Sequence, residues 1–130
     1  MAGHPKFKKV LKMMSLIHEL KNSDYATEQN PFSNLDMSED CGVPNWIGTV
    51  VRLGDKYSRI QTGCRKYMKG KDMAIKTEGI GDTLIDNAVY SIIAFIQFAQ
   101  REGIGVDELC NKILLKMGIE SSRLEEDEMK

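Results

Sequence analysis

The sequence predicts an all-α protein: a compact, four-helix bundle-like domain with a long ordered loop between the first and second helices. Three observations carry this. Apolar residues recur at intervals of three and four in four separate segments. No segment alternates apolar and polar residues as a half-buried strand does. Glycine, proline and asparagine gather between the segments, where the chain must turn. At 130 residues the chain makes about one domain, long enough to bury a core without disulfides or metal staples.

The first helix is expected from Pro5 to Lys21. Phe7, Val10, Leu11, Met14, Ile17 and Leu20 mark one face, and Pro5 suits a first turn, where its missing N–H costs nothing. The stretch NSDYATEQNPFSNLDMSEDCGVPN follows and reads as the loop, anchored by Phe32 and Leu35. Long ordered loops in compact domains are often functional. The second helix runs from about Pro44 to Tyr67, with Trp46, Val50, Leu53, Tyr57 and Ile60 as its apolar stripe. Trp46, lying on that stripe, is expected in the core. The third runs from about Glu78 to Arg101 and is apolar around most of its circumference, which makes it the central helix. The fourth runs from Val106 to Met117 and stops at Gly118. Residues 1–118 thus form one helical domain, and 119–130 an acidic tail expected to fray.

Composition excludes several classes. The net charge of -1 gives no global field toward nucleic acid or an anionic membrane, so no direct nucleic-acid binding is expected. The three cysteines, Cys41, Cys64 and Cys110, are too few and too irregular for a disulfide framework or a zinc site, and are expected as free thiols in a reducing cytoplasm. The lysine-interrupted N-terminus lacks the apolar stretch of a secretory signal. The apolar run from Ala88 to Ala99 is too short for a membrane span. His4 and His18 lack metal-ligand spacing, and neither is assigned a role.

The chemistry gathers on the third helix. Glu78, Asp82 and Asp86 stand one turn apart and form a carboxylate ladder. Like charges at this spacing cost an isolated helix a few tenths of a kcal/mol per pair. The N-terminal dipole offsets part of that for Glu78 and Asp82 but little for Asp86. Followed along the helix, the stripe runs into Val89, Ile93 and Ile96, so the acids begin on a face that becomes core. Inward carboxylates need a cation or a basic partner. Glu78, Asp82 and Asp86 are therefore candidate ligands for Mg²⁺, which takes one or two protein carboxylates and completes its octahedron with waters and phosphates. The same three are the candidate catalytic residues.

On the second helix Arg52, Lys56 and Arg59 occupy a flank beside the apolar stripe, with Asp55 placed to pair with Arg59. Such a flank suits phosphate oxygens. Lys21, Asn22, Asp24 and Tyr25, then Asn30 and Phe32, are candidates for a pocket mouth, with amides to read a base edge and an aromatic to stack on it. Each is also an ordinary cap or turn residue.

The pieces KNSDY (Lys21 to Tyr25), NPFSN (Asn30 to Asn34), CGVPNW (Cys41 to Trp46), VRLGDKYSRI (Val51 to Ile60) and EGIGDTLIDNAVYSIIA (Glu78 to Ala94) occur in that order. Together they resemble the nucleotide modification associated domain, type one, a family of small phage and prophage proteins, over roughly residues 20 to 98. The resemblance implies a place in phage nucleotide metabolism or DNA base modification. More distantly, the acidic helix resembles the second motif of the MazG-like all-α nucleoside triphosphate pyrophosphohydrolases. Those hold Mg²⁺ on Glu-x-x-Glu and Glu-x-x-Asp pairs and release monophosphate and pyrophosphate. Here the second helix has no Glu-x-x-Glu, and Gly79 stands three residues before Asp82 where that motif has glutamate.

The expected function is binding of a nucleotide or deoxynucleotide polyphosphate through a Mg²⁺-carboxylate site, with pyrophosphohydrolysis as its enzymatic form. Two alternatives remain: a non-catalytic nucleotide or nucleotide-signal binder that acts as a sponge against host defence, and an interaction module for DNA-modification enzymes. The expected partners are a small-molecule nucleotide and further copies of the chain in a homo-oligomer, in the host cytoplasm and away from membranes.

Overall fold

The computed structural model describes residues 2–25, 36–70 and 77–126. They are helical, with no strand among them. The principal elements are α1 (Phe7–Tyr25), α2 (Asn45–Met68), α3 (Thr77–Arg101) and α4 (Val106–Lys116). Single 3-10 turns form at Met37–Cys41 and Ser121–Glu125. The first turn falls inside the expected loop, and the second lies in the expected tail, where it is exposed.

The backbone of the fold is the antiparallel pair α2 and α3. Three cross-helix contacts set its register. Trp46 packs edge-to-face on Phe98, with ring centroids 5.3 Å apart and an interplanar angle of 84°. Thr49 Oγ1 donates to Gln97 Oε1 at 2.6 Å. Lys56 lies 4.8 Å from the Tyr90 ring centroid. As the residue number rises on one helix it falls on the other, as an antiparallel pair requires.

The buried face of α2 differs from the expected stripe. Thr49 and Gly63 are buried and Lys56 half-buried, whereas Val50 and Tyr57 are exposed. The reason is chemical. Thr49 and Lys56 each find a polar partner on α3, so the interface tolerates them, and the helix turns Val50 and Tyr57 outward. Trp46, Leu53 and Ile60 remain half-buried as expected.

Helix α3 is central. Ile93, Ala94, Gln97 and Ala99 are buried, and α1, α2 and α4 all pack against it. From Gly79 to Arg101 it is long and apolar enough, at mean hydropathy 1.3, to cross a membrane by length and composition alone. The run from Ala88 to Ala99 understates its apolar length, because Ile80, Leu84 and Ile85 extend it toward the N-terminus. Helix α1 runs four residues past Lys21, to Tyr25, and among its described side chains buries only Met14.

The 3-10 turn at Met37–Cys41 is fastened to both helices at one end of the hairpin. Glu39 Oε1 accepts from the Asn45 N–H at 2.8 Å and from Arg101 Nη1. It thereby caps the first turn of α2 and ties it to the last turn of α3. Asn45 Nδ2 donates to Asp36 Oδ1 at 2.9 Å. Gly48 permits the close fit: a Cβ there would stand 2.7 Å from Ser38 Oγ. Gly118 ends α4 as expected. Its φ of 73° is left-handed, and the Ile119 N–H reaches back to the Leu114 carbonyl at 2.9 Å. Val106, Leu109, Cys110 and Leu114 form the inner side of α4, while Ile113 and Met117 are exposed. All three cysteines are free thiols.

Candidate functional site

Where α1, α2 and α3 meet lies a cavity of about 330 Å³. From α1 it takes Ile17, His18, Lys21 and Asn22; from α2, Arg52 and Lys56; from α3, Asp86, Val89, Tyr90 and Ile93. Helical spacing explains the set. His18 with Lys21 and Asn22, Arg52 with Lys56, and Asp86 with Val89 and Tyr90 are each three or four residues apart, hence on one face of their helix. The floor is apolar and, among the described residues, the lining carries three cations and one carboxylate.

Asp86 is the centre of that rim. Its Oδ1 accepts from Lys21 Nζ at 2.9 Å and its Oδ2 from Lys56 Nζ at 3.5 Å. The Asp86 side chain is 28% exposed, Lys56 16% and Lys21 54%. Burial alone raises the Asp86 carboxyl. The hydrogen bond and charge of Lys21, followed by those of Lys56, outweigh it and hold Asp86 below the usual carboxylate value. Lys56 is further steadied by the face of Tyr90. His18 and Asn22 join through Nε2 and Nδ2 at 3.2 Å.

Of the residues singled out in the sequence, Lys21, Asn22, Arg52, Lys56 and Asp86 are thus brought to one cavity. Asp55 and Arg59 are exposed and do not line it. The expected Asp55–Arg59 ion pair is not formed among the described residues, because Lys56 rather than Arg59 continues the inner face. Asp82 is exposed one turn before Asp86. Glu78, Asp24 and Tyr25 lie on their helices, but their side chains are outside the described residues, as are Asn30 and Phe32 entirely.

Two lining residues had no sequence assignment. His18 lacked a metal-ligand partner, yet it stands three residues before Lys21 and four before Asn22, on their face. Tyr90 was read only as part of the apolar helix, yet it follows Asp86 by four. The signal available for both was helical spacing from a charged candidate.

Among the described residues no group of three or more His, Cys, Asp or Glu side chains converges. Both Asp86 oxygens already face ammonium groups. Among the described donors, Asp86 is thus a lysine-bridged carboxylate. What the arrangement does offer is an excess of Lys and Arg donors over an apolar floor, which suits an anion with an organic body.

No family model, no curated protein and no solved structure matches the chain.

Proposed function

We propose that the cavity between α1, α2 and α3 binds the phosphate groups of a nucleotide or deoxynucleotide polyphosphate. The observation that carries the reading is the convergence of Lys21, Arg52 and Lys56 on one cavity around the half-buried carboxylate of Asp86. Arg52 supplies a planar fork and the lysines supply point charges, the two ways proteins hold phosphate. Asp86 serves as the resident counter-ion. It holds both lysines at the cavity and gives them up when phosphates arrive. The resemblance to phage nucleotide-modification proteins supports the nucleotide as the ligand class and the cytoplasm as the setting.

Magnesium, on this reading, travels with the polyphosphate, its usual hydrated partner. Asp82, exposed one turn from Asp86, is the nearest described carboxylate along the helix to assist it. Among the described residues Asp86 faces ammonium groups rather than a second carboxylate, and this favours binding over pyrophosphohydrolysis. A nucleotide or nucleotide-signal sponge is therefore the preferred form, with hydrolysis the second.

A thermal-shift panel of nucleotides with and without Mg²⁺, followed by chromatography of the ligand, tests this. A ligand at about 1,000 times its Kd adds several kcal/mol to stability. Stabilisation with the nucleotide recovered intact supports the binder. Recovery of monophosphate and pyrophosphate supports the hydrolase. The absence of any shift overturns both and leaves a protein-docking module.

A further inference from the structure

A second chamber, of about 200 Å³, lies between α1 and α3. Leu11 and Met14 of α1 and Ile92 and Ile96 of α3 give it an apolar lining. His18, Val89 and Ile93 belong to both chambers, which therefore meet at those side chains. The helices run in opposite senses here: Leu11 lies toward Ile96, and Lys21 bonds Asp86. The distance from Asp86 to Ile96 along α3 is about 15 Å at 1.5 Å per residue. A groove of that length is cationic at one end and apolar at the other.

We infer that the apolar chamber is the base subsite of the nucleotide whose phosphates occupy the cationic chamber, and that it holds the base by contact without reading its edge. This rests on the polyphosphate reading above. Discrimination between bases needs donors and acceptors placed against the hydrogen-bonding edge, and a site without them accepts isosteric or enlarged groups at small cost. Among the described residues the only polar side chains lining this chamber are Ser15 and His18, and His18 is already engaged with Asn22. The ligand class is thus a nucleoside polyphosphate of any base, including one enlarged by an apolar substituent. The apolar lining supplies affinity through area removed from water.

Calorimetric titration of the full chain with inorganic triphosphate and the four deoxynucleoside triphosphates tests this, together with the variant Ser15→Phe. Ser15 is exposed on α1, so the larger ring enters the chamber without disturbing buried packing. The wild-type protein is expected to bind each nucleotide at least about tenfold more tightly than inorganic triphosphate, with less than about tenfold spread among bases. Ser15→Phe is expected to reduce nucleotide affinity to that of inorganic triphosphate and to leave the latter unchanged. Equal wild-type affinity for nucleotide and triphosphate overturns the inference. So does a spread among bases beyond about a hundredfold, or nucleotide affinity untouched by Ser15→Phe. In these cases bound triphosphate still upholds the phosphate site. A wild-type protein that binds no triphosphate and no nucleotide overturns the phosphate site and the inference together.

Discussion

Lys56 on α2 bridges two residues of α3: its ammonium lies 3.5 Å from Asp86 Oδ2 and 4.8 Å from the centroid of Tyr90. At 16% exposure it is the most deeply placed charge of the cavity. Removing its carboxylate partner leaves that charge part-buried and uncompensated. Asp86→Asn is therefore expected to destabilise the fold by about 1–2 kcal/mol, measured by urea denaturation. The same substitution takes a negative charge from a phosphate cavity, so affinity for inorganic triphosphate without Mg²⁺ is expected to rise several-fold in calorimetry. A fall in that affinity would make Asp86 a direct ligand contact instead of a counter-ion.

The pH dependence has a fixed sign. The folded-state pKa of Asp86 is lowered by Lys21 and Lys56 against the opposing effect of burial. In the unfolded chain the value is about 3.9. The contribution of Asp86 is fully present above that value and is lost as pH falls through the lower folded value. Glu39, lowered by the Arg101 and Asn45 hydrogen bonds, acts in the same direction from an exposed position. Urea midpoints should therefore fall on acidification below about pH 4. In Asp86→Asn the fall should be shallower.

Arg52 separates binding from stability. It is exposed on the cavity rim, and surface substitutions of this kind change stability by less than about 0.5 kcal/mol. Arg52→Ala is expected to leave the melting temperature within about 2 °C and to weaken triphosphate binding about tenfold. Arg59→Ala, exposed and outside the cavity, is the matched control and is expected to do neither.

The α2–α3 interface makes its own prediction. Thr49 and Gln97 are each 1% exposed, and Gln97 Nε2 has no hydrogen-bond partner among the described residues. Thr49→Val removes the donor to Gln97 Oε1 and should cost about 1–3 kcal/mol. Adding Gln97→Leu removes the stranded amide, and the double variant should recover much of that loss in a double-mutant cycle.

The helices were legible because their apolar spacing is a local property. All four were expected within a few residues of where they lie. Helix α1 overran its expected end at Lys21, where the chain turns polar through Asn22, Ser23 and Asp24. There Lys21 bonds Asp86 and Asn22 bonds His18, contacts that no local pattern reports. The buried face of α2 was misread for a related reason. Thr49 and Lys56 are polar in sequence and become interior only because Gln97 and Asp86 stand opposite. The inward stripe of the ladder calls for a cation or a basic partner, and Asp86 lies between two lysines, 30 and 65 residues away in the chain.

The central claim is that Lys21 and Lys56 hold phosphate. The most direct measurement is calorimetric titration of a deoxynucleoside triphosphate into wild type and into Lys21→Gln/Lys56→Gln, with folding verified by circular dichroism. Loss of two charge-assisted contacts predicts a fall in affinity of at least about a hundredfold. A folded double variant that binds the nucleotide as tightly as wild type would contradict the account and place any nucleotide site elsewhere on the chain.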